Sequence, residues 1–399
     1  LGQLEDARRD LQKYLEVPPV GTNLGHALYE LALIDQTEKQ PGRAAAKLER
    51  LVKEVPEYPS MDKVLYELGW SLQESGNAAD AVKYFTSMIN EHPDTPLAAD
   101  AAYFIGQQHY NAQDWKKAAS QFAIAAEKAP EPELSEKALY RWGWSEFKGQ
   151  DYEEAEQAFA KQAAEHADGR LAIDALMMVG ECRFKRADFE AAVEGFDEAR
   201  QVIRDRKDDA KSVRDPAERR VRELVFLHGG QSEAQLKRWN KAIEWYDELR
   251  DRFPSTQYLP QVFYETGFAY QQLDDQDNAL KFFQEVADNY RNVLAARARF
   301  MIGEIHFAKR EFDKAIPEFQ RVMYGFGAEK APSQIKNWQA KSGFEAGRCG
   351  ELLMQTAKSP ASKQKARKIA TDFFEYVMEK HPNHELAAKS RDQIEALRK

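Results

Sequence analysis

The sequence predicts an all-α protein built from stacked antiparallel helix pairs. An alanine recurs five times at intervals of 37 residues, and four more alanines follow after steps of 50, 37, 36 and 55 residues. A large apolar residue stands four residues after each alanine, and a small residue stands twelve residues before each of the first eight. Such a period indicates stacked supersecondary units rather than one globular core. The alanines are Ala44, Ala81, Ala118, Ala155, Ala192, Ala242, Ala279, Ala315 and Ala370.

One unit shows how the pattern predicts a helix pair. Two helical segments, about Leu97–Ala112 and Trp115–Lys128, are separated by a short polar turn. Gly106 lies inside the first segment, where glycine costs about 1 kcal/mol relative to alanine. A glycine repeated at this place therefore needs a packing reason. We expect Gly106 and Ala118 to let the two helices approach closely, with Phe122 filling the space beside them.

Composition and charge agree with a long helical array. The chain has 399 residues, of which 43% are hydrophobic and 31% charged, and this length accommodates about nine helix pairs. No period-2 strand pattern occurs, and no run of 18 apolar residues predicts a membrane span. The net charge of −9 argues against a nucleic-acid binder. Residues 204–222 are rich in arginine, but interspersed acids predict a solvated helical face there.

The spacing predicts a single solenoid over residues 1–399. The interrupted steps place insertions in the array, of which the first should form extended helices and the second a loop. Because the chain begins in mid-pattern, we expect a segment of a longer protein, from which any signal peptide or lipid anchor has been lost. The predicted parts are a half repeat at 1–19, about nine helix pairs across 20–384, insertions near 200–222, 325–333 and 358–364, and a capping helix at 385–399.

No motif for catalysis, a cofactor or a metal is present. The sequence lacks a glycine-rich phosphate loop, a GxSxG motif and an HExxH motif. Cys182 and Cys349 stand far apart without a CxxC partner, so they predict no zinc site. His381 and His384 are close in sequence, but Pro382 keeps them off a regular helical face. We therefore predict a non-enzymatic protein with no cofactor and no metal.

At these positions the chain resembles the tetratricopeptide repeat family, whose motif has a small residue in the first helix, alanine early in the second and an aromatic residue four positions later. All nine units keep the alanine and its large apolar partner. The resemblance implies a right-handed α-solenoid, or superhelix, whose first helices line a concave groove. The chain departs from the motif where a tyrosine is expected three residues after the glycine, and its period exceeds the usual 34 residues.

The linkers between units resemble those of one branch of this family. Residues 92–102 and 253–258 are similar in style to linkers of bacterial TolA-binding periplasmic proteins and of the outer-membrane assembly lipoprotein of the β-barrel machinery. This resemblance implies a role in the assembly or maintenance of a bacterial cell envelope. It places the chain in the periplasm or at the outer membrane, with the cytoplasm as the alternative.

The predicted binding site is a set of aromatic residues on the first helices of the second to fifth repeats. They occupy places i, i+4 and i+7, which share one helix face. Trp70 and Trp144 stand where the family has a small polar residue, and large aromatics with a polar handle favour interfaces. Alternatively, the tyrosines pack between adjacent first helices. The candidate groove residues are Tyr66, Trp70, Tyr103, Tyr110, Tyr140, Trp144, Phe147 and Phe184.

These observations predict a protein-interaction scaffold that holds a peptide or a partner helix in its groove. The Lys and Asn with which some family members grip a carboxylate are absent, so recognition would rest on apolar burial and stacking. One alternative is a carbohydrate- or peptidoglycan-binding module, since an aromatic groove can also stack a glycan. Another is a helical accessory domain of a larger enzyme.

Overall fold

The computed structural model describes residues 2–17 and 19–398, which form helices without any strand. A single 3₁₀ turn, Ala328–Lys330, accompanies twenty α-helices in this part of the chain. The α-helices are α1 Gly2–Leu15, α2 Thr22–Thr37, α3 Pro41–Glu54, α4 Met61–Glu74, α5 Ala78–Glu91, α6 Ala98–Asn111, α7 Trp115–Lys128, α8 Pro132–Gly149, α9 Tyr152–Glu165, α10 Ala172–Lys185, α11 Phe189–Arg206, α12 Pro216–Gln235, α13 Trp239–Arg252, α14 Leu259–Gln272, α15 Gln276–Asn289, α16 Val293–Ala308, α17 Phe312–Tyr324, α18 Ser333–Thr356, α19 Pro360–Lys380 and α20 Glu385–Arg398.

Consecutive helices pack as antiparallel pairs, which confirms the predicted all-α repeat fold. Helices α2 to α19 form nine such pairs, with α1 before the first and α20 after the last. The chain divides into two compact units, an N-terminal unit that ends at Val202 and a C-terminal unit that begins at Ile203. None of the helices in the described residues combines the length and apolar character that a bilayer crossing requires.

In eight of the nine pairs a glycine packs against an aromatic ring. All nine recurring alanines are fully buried, as the pattern predicts. The atoms nearest to Gly106 belong to the ring of Phe122, whereas the sequence suggested Ala118 as its partner. A Cβ atom on Gly106 would lie 2.9 Å from the ring of Phe122, and one on Gly143 would lie 2.7 Å from the ring of Phe159. Glycine is needed because the ring lies against the helix backbone, where a methyl group would collide with it.

The first pair departs from this arrangement, and the last pair adds a second contact to that of Gly347 with Phe374. In the first pair Ala32 replaces the glycine and Leu48 replaces the ring, and both side chains are fully buried in one cluster. The extra methyl group is therefore accompanied by a smaller side chain opposite it. In the last pair a Cβ on Gly350 would lie 2.5 Å from the backbone nitrogen of Ala370. Two small residues meet there in the way that the sequence suggested for Gly106.

The turn inside most pairs reverses the chain through one left-handed residue. Gln113 between α6 and α7 has φ of 61°, and its amide donates to the carbonyl of Tyr110 at 3.0 Å. The next amide, of Asp114, donates to the carbonyl of His109 at 2.9 Å. These bonds satisfy carbonyls at the helix end that would otherwise lack donors. The Asp114 side chain then accepts from the amide of Lys117 and caps α7.

The first insertion comprises the end of α11, a connecting loop at 207–215 and the start of α12. Helices α11 and α12 have 18 and 20 residues, against 14 in most others. The prediction of a solvated arginine face is wrong for Arg222, whose side chain is only 6% exposed. Arg222 donates to Asp208 at 2.7 Å, and Arg219 donates to the carbonyl of Val213 at 2.8 Å. The arginines leave solvent because the connecting loop supplies them with a carboxylate and free carbonyls.

The later insertions also change helix length. Residues 325–332 form the predicted loop, with the 3₁₀ turn inside it, and α18 and α19 reach 24 and 21 residues. The insertion near 358–364 therefore lengthens α19 at its start. Helix α20 buries Ile394 and Leu397 in a cluster with Ala370 and Phe374 of α19. It covers the apolar face of the last pair, as expected of a terminal cap.

Candidate functional site

The eight predicted groove residues lie on α4, α6, α8 and α10, and each is half-buried. Their tyrosines pack on the central ring of their own repeat. The ring centroids of Tyr103 and Phe122 are 5.3 Å apart, and that distance is 6.1 Å for Tyr140 and Phe159. These contacts join the two helices of one pair, and Tyr103 also packs against a cluster that includes Ala138 of the next first helix.

The two tryptophans are built into the packing more deeply than a purely exposed anchor would be. Trp70 packs edge-on against Phe85 of its own repeat and Phe104 of the next first helix, at 5.5 Å in each case. Trp144 makes similar contacts with Tyr140, at 6.2 Å, and with Phe147, at 5.6 Å. Each tryptophan consequently contributes both to folding and to the surface of the first helices.

The indole of Trp144 also interacts with the Tyr140 hydroxyl. Its Nε1 is buried. Burial raises the pKa of Tyr140, and a hydrogen bond from the Trp144 side chain lowers that pKa by a smaller amount. The ammonium group of Lys148 lies 5.8 Å from the centre of the Trp144 ring.

The remaining three predicted residues, Tyr110, Phe147 and Phe184, lie near the C-terminal ends of α6, α8 and α10. Tyr110 packs edge-on against Trp115 at 5.1 Å, and Phe147 packs in the same way against Tyr152 at 5.3 Å. Phe184 contacts Phe189 at 5.3 Å. In each case the partner is the first residue of the second helix in the same pair. The same aromatic contact therefore recurs beside the turn within each of these three pairs.

Burial disfavours the ionised form of two of the predicted tyrosines. It raises the pKa of Tyr66 and of Tyr140 above the usual value, and the nearby carboxylates Asp100 and Asp174 raise it further. The guanidinium of Arg141 lies 5.2 Å from the ring centre of Tyr110. The surface thus offers aromatic rings and tyrosine hydroxyls, with cations at its margin.

A second candidate site lies in the C-terminal unit, where sequence reasoning had predicted none. Helices α14, α16, α18 and α20 enclose an open cavity of about 420 Å³. One feature of the sequence could have indicated this site. Arg297 and Lys341 occupy the same position in their repeats, six residues before the small residue. The cavity is lined by Tyr264, Phe268, Arg297, Phe300, Met301, Trp338, Lys341, Phe344, Glu345, Glu385, Leu386 and Lys389.

Cations lie over the aromatic rings of this cavity. The guanidinium of Arg297 is 4.5 Å from the ring centre of Tyr264 and 5.6 Å from that of Trp338. The ammonium of Lys341 is 4.7 Å from the Trp338 ring on its own helix. Such cation–π contacts orient a positive charge without neutralising it.

A buried acid lies close to the cavity on α16. Burial raises the pKa of Glu304 to about 7, the neighbouring carboxylate of Glu345 adds to the shift, and Arg348 opposes it. Glu345 and Arg348 form a salt bridge at 2.7 Å on α18. Oε1 of Glu304 has no hydrogen-bond partner in the described part of the chain.

The cysteines and histidines occupy structural positions. Burial raises the pKa of the Cys182 and Cys349 thiols to about 12, which disfavours the reactive thiolate. The imidazole Nε2 of His384 lies 3.0 Å from the amide oxygen of Asn337. Within residues 2–17 and 19–398, no three His, Cys, Asp or Glu side chains are arranged to hold a metal ion.

The Tetratricopeptide repeat family matches three segments of the chain, residues 66–131, 140–209 and 264–333. Together these segments make up more than half of its length. They include all eight predicted groove residues on α4 to α10 and five of the twelve residues that line the C-terminal cavity. No curated protein matches the chain at a significant level.

Similar solved structures include several tetratricopeptide repeat proteins. One from Parabacteroides merdae is 14% identical with a TM-score of 0.36, and the match covers 69% of this chain and 96% of that one. The C-terminal part of a repeat protein from Cytophaga hutchinsonii is 11% identical with a TM-score of 0.44, with coverage of 82% and 98%. YrrB, described as a TPR protein with an unusual peptide-binding site, is 18% identical with a TM-score of 0.39, with coverage of 54% and 96%.

Proposed function

Because the chain belongs to the tetratricopeptide repeat family, whose members are typically non-catalytic mediators of protein–protein interaction, we propose that it is a scaffold that binds a peptide or a partner helix. The binding surface is the aromatic row, defined as the eight half-buried residues Tyr66, Trp70, Tyr103, Tyr110, Tyr140, Trp144, Phe147 and Phe184. By its resemblance to the family, this row lines the concave face of the N-terminal unit.

The observation that carries the proposal is the half-burial of these rings at repeated positions. Fully buried rings would be core, and singly exposed rings would need no explanation. Here the 37-residue period brings the same face of four successive first helices to the row, and no insertion interrupts it. A continuous apolar surface with tyrosine hydroxyls fits the composition of protein interfaces, which are rich in Tyr and Trp.

The packing of the rings favours a peptide over a glycan, which is the second candidate. A sugar stacks on the open face of an aromatic ring. Trp70 and Trp144 instead turn edges and faces towards neighbouring rings, with interplanar angles of 71° and 63° at Trp70 and 73° at Trp144. The resulting apolar surface is uneven, with ridges formed by ring edges. Such a surface suits the alternating side chains of an extended peptide or one face of an amphipathic helix.

A selection from a random peptide display library on the full chain tests this proposal. Trp70→Ala and Trp144→Ala should each weaken the enriched peptides by about 2 kcal/mol, close to 30-fold in Kd, because central aromatic anchors dominate such interfaces. Fluorescence polarisation with the labelled peptides gives Kd. Thermal unfolding by circular dichroism sets a temperature at which each variant is folded, since both rings also pack against their neighbours.

Trp142→Ala is the matched control. Trp142 is also half-buried on α8, but it lies two residues from Trp144 and so projects from a different side of the helix. It should change Kd by less than about threefold, the size of effect typical of residues outside an interface. Equal losses of peptide affinity in all three variants would contradict binding on the aromatic row. Peptides whose Kd does not change in the Trp70→Ala and Trp144→Ala variants would contradict it too.

We further propose a location in the bacterial periplasm or at the outer membrane, in cell-envelope assembly or maintenance. The support is the likeness of the inter-repeat linkers to those of TolA-binding periplasmic proteins and of the outer-membrane assembly lipoprotein. Fractionation of the source cells, with an antibody against this chain, should recover it with periplasmic or outer-membrane markers. Recovery with cytoplasmic markers alone would contradict the envelope role and leave the scaffold function standing.

A further inference from the structure

We propose that the cavity enclosed by α14, α16, α18 and α20 is a second binding site, and that it takes an acidic segment of a partner protein carrying an apolar side chain. The site lies wholly within the C-terminal unit and shares no residue with the aromatic row. It goes beyond the proposed function, and it does not depend on that row being correct.

The charges of the cavity indicate the sign of the ligand. Arg297, Lys341 and Lys389 come from three different helices, and none of them has a hydrogen bond or a carboxylate within 4.0 Å among the described residues. Most other arginines of this unit are paired: Arg299, for example, contacts Asp288 at 2.6 Å and Glu318 at 2.9 Å. Glu265 on α14 interacts electrostatically with Arg297, but it lies beyond ion-pair distance. Three cations around one cavity thus have no direct carboxylate partner among the described residues, which favours an anionic ligand.

The two carboxylates that line the cavity do not neutralise these cations. Glu345 is engaged by Arg348 at 2.7 Å, and burial raises its pKa, which disfavours its charged form. Glu385 is exposed in the first turn of α20, where the positive end of the helix dipole stabilises it. Neither lies within ion-pair distance of Arg297 or Lys341 in the part of the chain described.

The floor of the cavity is apolar and specifies the second feature of the ligand. Tyr264 and Phe300 are 2% and 8% exposed, and Trp338 and Phe344 are half-buried above them. The volume of about 420 Å³ lies within the range of ligand pockets, roughly 300–1,000 Å³. An apolar side chain buried on this floor would place acidic neighbours in the same segment beside the cations at the rim.

The equivalent position in the N-terminal unit lacks this uniform charge. Six residues before the small residue stand Lys63, Asp100, Lys137 and Asp174, which alternate in sign from repeat to repeat. Arg297 and Lys341 are instead neighbours of like charge, and Lys389 continues the series on α20. Unpaired like charges on adjacent helices repel each other, so a bound carboxylate would relieve a strain that the N-terminal unit does not contain.

An acidic peptide fits these features better than a nucleic acid. The chain carries a net charge of −9, which repels a long polyanion such as a nucleic acid. A short acidic segment is affected mainly by the cations of the cavity, because salt screens the more distant charges. The enclosed aromatic floor would bury one side chain rather than follow a long backbone. An oligonucleotide is therefore the outcome that the experiment must separate from a peptide.

The test uses peptide display on the full chain, followed by Kd measurements with the enriched peptides. One class of enriched peptides should combine several Asp or Glu with a large apolar residue. The double variant Arg297→Glu/Lys341→Glu should weaken this class at least tenfold at low salt, and 0.5 M NaCl should weaken it in the wild-type chain. The variant Trp338→Leu should weaken the same peptides while leaving the charges intact.

The control variant Lys363→Glu/Lys365→Glu makes the same change in net charge on exposed residues of α19. It should alter Kd by less than twofold. The proposal would be overturned by enrichment of basic or neutral peptides only, by no enrichment, or by equal losses of peptide affinity in the two double variants. It would also be overturned if a (dT)₂₀ oligonucleotide bound through Arg297 and Lys341 more tightly than any peptide. If every enriched peptide depended on Trp70 and Trp144 and none on Arg297, the cavity proposal would be overturned and the aromatic row supported.

Discussion

The two units use the same repeat in different ways. In the N-terminal unit, helices from α4 to α10 follow a strict 37-residue period, so equivalent residues form a continuous row of rings. In the C-terminal unit, insertions lengthen α12, α18 and α19, and the first helices enclose a cavity instead of a row. Regular spacing thus favours a uniform surface, whereas interrupted spacing allows local sites to arise between repeats of unequal length.

The largest expected difference between the units concerns the ion pair of the first insertion. Asp208→Ala would leave the Arg222 guanidinium, 6% exposed, without its carboxylate at 2.7 Å. Because an uncompensated buried charge is costly, we expect a loss of about 3 kcal/mol or more in the free energy of unfolding, measured by urea denaturation. Asp6→Ala in the N-terminal unit removes the exposed pair with Arg9 and should cost no more than about 0.5 kcal/mol. Similar small losses at both sites would show that the insertion does not depend on this pair.

A double-mutant cycle tests the glycine–ring contact that both units share. Gly143→Ala should cost about 2 kcal/mol, because the new methyl group would lie 2.7 Å from the ring of Phe159. Adding Phe159→Leu recreates the Ala32–Leu48 combination of the first repeat. The double variant should therefore lose at least about 1 kcal/mol less than the sum of the single variants. Strict additivity would be incompatible with the exchange of volume inferred from the first pair.

Lys116→Leu is the control for this cycle. Lys116 is exposed on α7, away from any glycine–ring contact. Its replacement should change the free energy of unfolding by no more than about 0.5 kcal/mol.

The smallest expected effect depends on pH and is confined to the C-terminal unit. The folded-state pKa of Glu304, about 7, lies above its usual 4.5, so its ionisation opposes folding. The stability that its protonated form contributes is complete below about pH 4.5 and is lost as the pH rises towards 7. Glu304→Gln should remove this loss and stabilise the chain by about 1–2 kcal/mol at pH 8, less than the full shift because solvent screens the carboxylate.

Denaturation curves collected between pH 4.5 and 8 would show this effect. The same substitution at Glu194, which is exposed on α11, should leave the pH dependence as it is in the wild type. A Glu304→Gln chain that loses stability with pH as steeply as the wild type would place the responsible group elsewhere.

Much of the fold could be predicted because a repeat is held together by contacts that are close in sequence. The two predicted helices of the sample unit agree with α6 and α7 to within one residue at each end. The recurring alanines are all buried. Helix periodicity and the small residues sufficed for these features, because each pair packs mainly against itself and its neighbours.

The site was predictable only in part. The sequence placed the eight aromatic residues on first helices, and the structure finds them there, half-buried. It could not show that Tyr103 packs on Phe122 of its own pair, or that Trp70 packs on Phe104 of the next first helix, because both depend on side-chain orientation.

The sequence alone determined the helix pairs, their order and the positions that must be small, because the 37-residue period and helix periodicity are local properties of the chain. Only the tertiary structure decided what the glycines face, that Arg222 is buried, and that Tyr264, Trp338 and Lys389 line one cavity. Those outcomes depend on the close packing of side chains from helices far apart in sequence. Packing of that kind is set by distances of a few ångströms that no repeat pattern contains.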